Sequence, residues 1–385
     1  MTKTKLKKKG ILSDTKTLLH LARWLGPWGD TEKQPGAIVS QKIIPPELDE
    51  EPPIELTVYQ PRKGRIRGTY FLQHGLHFAG AKDRRFVRLA HIFADAGYVV
   101  FAPNNPDYLR VSVMSSSVDD AKRAFRYMLA HPVCEGPIHI FTISFGSLLG
   151  LVIAGDPELQ KEVAHLIIFG GYVDFRVTVE FCLTGKVNGE QICEPDPLVL
   201  PVLFYQIHDD LPSDVLPQKL HLVQDAWFQY ILDTWGHHDI KSDSRFHKYA
   251  FAVADKFFPE ETCAKDEDLA RCRRLFLIGC AVEPGAEELI MDSISKSEYA
   301  FMDAIPFARE VLCDVDIIHG QGDDIIPISQ AGILEQTLPN TTRVNVWRTG
   351  LYEHSNPDAS SLLQNIPSAI RELRTMLGML KALGK

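Results

Sequence analysis

At 385 residues, 45% of them hydrophobic, the chain exceeds the usual length of one compact domain, and its formal net charge of −9 gives no basic footprint for nucleic acid. Its seven cysteines are odd in number, scattered and free of any C-x-x-C pair, which argues against a disulfide framework or a zinc site. No run approaches the roughly 20 apolar residues of a membrane span and the start carries no secretory signal pattern, so a soluble, cytoplasmic protein is expected.

Residues 1–36 form a basic N-terminal segment, with eight Lys/Arg against three acids among the first 33 residues. Ile11, Leu18, Ala22 and Leu25 share a helical face, with Trp24 and Trp28 nearby. That face suits either peripheral contact with an anionic membrane surface or packing on the protein's own core. Beyond a loop rich in Pro and acids, Ile54–Tyr59 alternates as a half-buried strand, and Gly68–Gln73 is a strand that runs directly into His74-Gly75. Asp83–Ala96 has helical spacing closed by Gly97, and Tyr98–Pro103 is a continuous apolar run of the kind parallel strands show when covered on both faces. Ser116–Leu129 reads as a helix with Asp119-Asp120 in its first turn. Then follow a strand at Pro137–Thr142, a helix at Phe145–Ala154 and a strand at Ala164–Gly171.

This alternation predicts an α/β architecture with a doubly wound, mostly parallel sheet. From Tyr172 to Cys313 the rhythm breaks. The segment carries aromatic helical faces instead, Val223/Trp227/Tyr230/Ile231 and Phe246/Tyr249/Ala250/Val253/Phe257. The sheet resumes at Val315–Ile318, followed by a helix at Ser329–Thr337, a strand at Arg343–Trp347 and a helix from about Ser360 to Leu383. The expected organisation is a core of residues 37–171 and 314–385 interrupted by a large helical insertion at 172–313.

Serine nucleophiles need an exposed hydroxyl, a base within hydrogen-bond reach and N–H groups aimed at the developing oxyanion. Ser144 sits where an apolar strand turns at once into a helix, the setting of a nucleophile elbow, G-x-S-x-G. Gly146 fills the fifth place, but Thr142 stands at the first. A serine opening a helix is also an ordinary N-cap. Asp323, in His319-Gly320-Gln321-Gly322-Asp323, follows the late strand on the side where parallel sheets do ligand chemistry, and a turn aspartate would fit there equally. His354 lies after the last strand with no histidine beyond it, which completes the order Ser, Asp, His. His237-His238-Asp239 is not read as a metal site, because neighbouring residues on one element diverge.

With these residues in place the chain resembles the α/β-hydrolase superfamily over roughly residues 54–171 and 314–380. The turn Gln73-His74-Gly75-Leu76 looks like the oxyanion turn of monoacylglycerol lipases and related serine hydrolases, and His319-Gly320-x-x-Asp323-x-x-Ile326-Pro327 is similar to the family's acid motif. The resemblance implies an oxyanion hole from the N–H groups of Leu76 and Phe145, Asp323 as the acid, and a cap formed by the insertion. It also implies a serine esterase or lipase-like activity on a small-molecule acyl ester, with no metal or organic cofactor. Peptidase, thioesterase and acyltransferase chemistry share the same residues, and a non-catalytic binding protein of this fold is the alternative from another class.

Overall fold

The computed structural model describes residues 15–26, 29–47, 51–240, 244–294, 297–339, 342–350 and 366–385. The chain divides into two compact units: residues 1–174, 304–323 and 328–385 in one, and residues 175–303 with 324–327 in the other.

The first unit is built on an eight-stranded sheet. Helix α1 (residues 15–25) precedes β1 (Ile38–Ile44), β2 (Ile54–Gln60) and β3 (Gly68–Gln73); then come α2 (Arg84–Asp95), β4 (Tyr98–Pro103), the short α3 (Pro106–Leu109), α4 (Ser115–Ala130), β5 (Ile138–Ile143), α5 (Gly146–Gly155) and β6 (Val163–Phe169). The second unit holds α6 (Phe175–Thr184), a hairpin of β7 (Lys186–Val187) and β8 (Glu190–Gln191), and helices α7 (Leu200–Ile207), α8 (Leu220–Thr234), α9 (Phe246–Phe257), α10 (Glu260–Cys263), α11 (Glu267–Gly279) and α12 (Ala286–Ile294). The chain then returns to the first unit through α13 (Ile305–Ala308), β9 (Asp314–Gly320), α14 (Ser329–Thr337), β10 (Val344–Thr349) and α15 (Ile366–Leu383).

The strand order is β1-β2-β4-β3-β5-β6-β9-β10. β2 runs antiparallel to both neighbours and every other pairing is parallel, so the sheet is doubly wound and mostly parallel, as the alternation predicts. The apolar runs are central for a physical reason. β3 and β4 are buried at every residue, which only strands covered on both faces can be. Each fully buried Leu, Ile or Phe on such a strand contributes about 1.5–3 kcal/mol. Helix α5 is likewise buried along its whole length, and its sequence shows no polar stripe. Strand β1 escapes the pattern reading because Ile38, Val39 and Ile43 are exposed on an edge and its apolar residues do not alternate.

Packing takes up one of the two readings of the N-terminal helix and redirects one other expectation. The apolar face of α1 lies on the core: Leu21 is fully buried, and Leu18, Ala22, Trp24 and Leu25 pack against the core cluster. Asp95 on α2 accepts hydrogen bonds from His20 Nδ1 (2.9 Å) and Trp24 Nε1 (3.3 Å), and Arg88 donates to Trp24 O, so α1 is tied to α2. Ile11 and Trp28 lie outside the described residues. Helix α4 starts at Ser115 with no acid in its first turn; Asp120 stands further in, where Arg123 pairs with it at 2.6 Å rather than the helix dipole alone.

In the second unit the aromatic faces close on one another. Trp227 is fully buried, stacks at a tilt with Phe204 (centroids 5.4 Å apart), donates Nε1–H to Phe276 O at 3.2 Å and lies against Gly279, where any side chain would strike its indole. Val223, Tyr230, Phe246, Ala250 and Val253 are buried with it, so these residues build the unit's own core. Among the described residues no helix is long and apolar enough to cross a membrane.

Candidate active site

Four turns meet the C-terminal ends of adjacent parallel strands, which is where open α/β sheets do chemistry. They are His74-Gly75 after β3, Ser144 after β5, Gly170 after β6 and Asp323 after β9, and the strand register aligns the ends through Gln73–Thr142, Ile143–Phe169 and Phe169–Ile318.

Ser144 adopts φ 53°, a left-handed conformation that costs a non-glycine residue about 1–3 kcal/mol and persists only where the surroundings enforce it. The enforcement is visible. Ser144 N–H donates to Phe169 O at 2.9 Å, Ser147 N–H donates to Ser144 O at 2.9 Å, and α5 begins two residues later. Gly146 sits so close to the β3 turn that a Cβ would lie 2.5 Å from His74 O and 3.0 Å from Gln73 O. Gly75 faces the elbow in turn, where a Cβ would be 3.0 Å from Ile143 O and 3.1 Å from Ser144 Cβ. Both glycines are therefore steric requirements of bringing the two turns together.

Thr142 resolves its own departure from G-x-S-x-G. It is fully buried, its hydroxyl donates to Ile167 O at 3.3 Å, and its methyl group occupies the space that Gly150 on α5 leaves open. The small residue has moved from strand to helix.

Leu76 and Phe145, the expected oxyanion donors, are both half-buried and flank this junction. No carbonyl or side chain among the described residues accepts either backbone N–H. The Phe145 carbonyl, by contrast, accepts the Tyr108 hydroxyl at 3.0 Å. His74 is buried, with Nδ1 2.7 Å from Gly75 O and Nε2 3.2 Å from the Asn105 N–H. A carbonyl only accepts and a backbone N–H only donates, so His74 is the neutral Nδ1–H tautomer, and burial lowers its pKa to about 4.

Asp323 is buried and its Oδ2 lies 3.5 Å from where a Cβ on Gly170 would stand, beside the turn that holds Ser144 in place. His319 Nε2 approaches the same oxygen at 3.6 Å, longer than a hydrogen bond, with both side chains out of water. The structure thus brings Ser144, Gly75, Gly146, Leu76, Phe145, His74 and Asp323 to one edge of the sheet, while His354 lies outside the described residues. The sequence reading passed over Tyr108 and Asn105. The signal available was Asn105-Pro106, an N-cap followed by Pro at the first helical position. Among the described residues no His, Cys, Asp and Glu group has metal-site geometry.

No protein-family model matches the sequence, and a search of curated proteins finds no relative. Among solved structures the chain is similar to an acylaminoacyl peptidase from Pyrococcus horikoshii (11% identity, TM-score 0.47, covering 90% of this chain and 41% of that one). It is also similar to an esterase from Pyrococcus furiosus (12%, 0.44, 89% and 90%) and to Est1E from Butyrivibrio proteoclasticus (12%, 0.45, 90% and 99%). The chain spans about two fifths of the length of the acylaminoacyl peptidases. On its own strand order, with a single antiparallel strand at β2, and its strained serine between β5 and α5, this chain has the α/β-hydrolase fold.

Proposed function

We propose that the chain is a serine hydrolase that cleaves a carboxylic ester through an acyl-enzyme. The observation that carries this reading is the left-handed Ser144, pressed against Gly75 and bonded through its N–H to Phe169 O, one residue before the Gly170 that Asp323 faces. In the proposed reaction Ser144 Oγ attacks the acyl carbonyl while His354 takes its proton. The N–H groups of Leu76 and Phe145 hold the tetrahedral oxyanion, and Asp323 keeps the imidazole in the tautomer that can accept. The proton then passes from His354 to the leaving alcohol, and water repeats the cycle on the acyl-enzyme. The catalysis asks for donors fixed in advance, and a junction held by two sterically required glycines supplies that rigidity.

A fluorophosphonate probe tests the assignment. Wild-type protein is expected to be labelled on Ser144 and to hydrolyse p-nitrophenyl butyrate. Ser144→Ala should lose labelling and at least about a thousandfold in turnover. Labelling that survives the substitution would name a different nucleophile.

A further inference from the structure

One short segment touches both halves of the oxyanion junction. Asn105 caps α3, its Oδ1 accepting Tyr108 N–H at 3.4 Å, and its amide donates to Ser117 O at 2.9 Å, tying the segment to α4. Its backbone N–H holds His74 Nε2, and His74 Nδ1–H holds the Gly75 carbonyl. Three residues on, the Tyr108 hydroxyl holds the Phe145 carbonyl. Asp107, between them, accepts from Ser116 at 2.7 Å and Ser117 at 2.9 Å. Asn104, just before, accepts Ala81 N–H at 2.8 Å, which anchors the chain beyond the β3 turn. Asn104, Asn105, Asp107, Tyr108 and His74 are all at least nine-tenths buried.

The segment also stores strain. Val111, a fully buried β-branched residue, sits at φ 57°, where such side chains are genuine outliers. Its N–H is spent on Tyr108 O, and Ser112 N–H on Asp107 O. Strained residues persist where the surrounding structure over-determines them, and they cluster where a fixed geometry is used.

We propose that the Asn104–Val111 segment is a clamp that sets the spacing between the two oxyanion donors, with Tyr108 and His74 as positioning residues that never touch substrate. Tyr108 holds the Phe145 carbonyl, on the peptide that follows the donor N–H, and the Asn105–His74 relay holds the Gly75 carbonyl and so the Leu76 peptide. This inference rests on the ester-hydrolase reading above. Its physical content is that donors displaced by a fraction of an ångström bind the tetrahedral oxyanion less well while leaving the planar ester's binding almost untouched.

The experiment compares Tyr108→Phe with wild type, using the full chain, p-nitrophenyl butyrate and a trifluoromethyl ketone that forms a tetrahedral adduct with the serine. The expected result is kcat down about tenfold, KM within about twofold, and Ki for the ketone up about tenfold, with an unchanged melting temperature. Asn105→Ser, which keeps the cap on Tyr108 N–H but drops the tie to Ser117, should give a smaller loss in kcat with the same KM, and it answers the question should Tyr108→Phe fold poorly. If wild type is labelled on Ser144 and both variants match it in kcat and Ki, the clamp is wrong and the hydrolase reading stands. If wild type neither labels nor turns over, both fall together.

Discussion

Among the described residues the sheet of the first unit carries two buried histidine–aspartate pairs, one towards each end of its strands. At the N-terminal end His165 on β6 bonds Asp316 on β9 at 2.7 Å, and Asp316 also accepts from Lys385 Nζ (2.7 Å), Trp347 Nε1 (2.8 Å) and Asn345 Nδ2 (3.0 Å). At the C-terminal end His319 stands 3.6 Å from Asp323, beside a strained serine. The first pair has the tighter geometry, and its carboxylate is committed to four donors. Burial alone would raise the Asp316 pKa, but those hydrogen bonds outweigh it and hold the group well below the usual carboxylate range. On the proposed reading, Asp316 serves as a structural charge and Asp323, at a strand end facing the Gly170 turn, as the working one. Residue type and burial alone do not tell the two apart.

Exchanging the perturbation between the pairs is the sharpest way to break this contrast. Asp323→Asn should lower kcat on p-nitrophenyl butyrate by about a hundredfold to ten-thousandfold with little change in melting temperature, because an amide favours the wrong tautomer of its partner. Asp316→Asn should leave kcat within about twofold but cost about 1–3 kcal/mol in urea unfolding, since buried His165 loses its carboxylate partner while part-exposed Lys385 keeps Asp314 at 3.8 Å. Equal losses of activity from the two substitutions would erase the distinction.

Acid sharpens the same comparison more gently. Burial lowers His74 to about 4 and His139 to about 3, and His165 is lowered as well, burial again outweighing the attraction of Asp316. Unfolded histidines titrate near 6.5, so between pH 6.5 and about 4 the unfolded chain takes up protons that the native chain refuses, and stability falls as pH drops. Each group contributes up to about 1.4 kcal/mol per pH unit. Asp120 acts in the opposite sense, its pKa raised to about 6 by burial against the pull of Arg123, so the native state gains a proton there below pH 6. His77, His91 and His131, lowered chiefly by burial as well, act with these three against Asp120, so the urea midpoint should be lower at pH 5 than at pH 7; an equal or higher midpoint would contradict the assignment of neutral buried histidines.

The smallest expected effect concerns packing behind the serine. Gly150→Ala should destabilise by about 1–3 kcal/mol through collision with the Thr142 methyl, and Thr142→Gly in the same chain should return most of that loss, a coupling that a double-mutant cycle in thermal unfolding reads directly.

How far the sequence reveals this molecule depends on whether a residue's role is set locally. The parallel strands were legible because burial on both faces demands unbroken apolar runs, as at Tyr98–Pro103, and α14 was legible to its ends. Strand β1 was not, since an edge strand with exposed Ile38, Val39 and Ile43 owes its place to pairing with β2 and not to its own pattern. Ser144 and Asp323 could be picked out because each follows a recognisable strand. Tyr108 could not, because its value comes from a carbonyl 37 residues away. Asp316, in the strand leading to Asp323, has no local signature either: its four partners come from β6, β10 and Lys385, two residues beyond α15.

The exchange between Thr142 and Gly150 bears on how such proteins are to be found. A search that insists on glycine two places before the serine passes over this chain, although the volume at that point in space is conserved by the pair. In this chain the turn reads Thr142-x-Ser144-x-Gly146-x-x-x-Gly150, and the larger first residue is accommodated because the facing helix turn has no side chain. Chains that carry the threonine without the second glycine should turn their helix away from the strand, and would then present a different serine geometry.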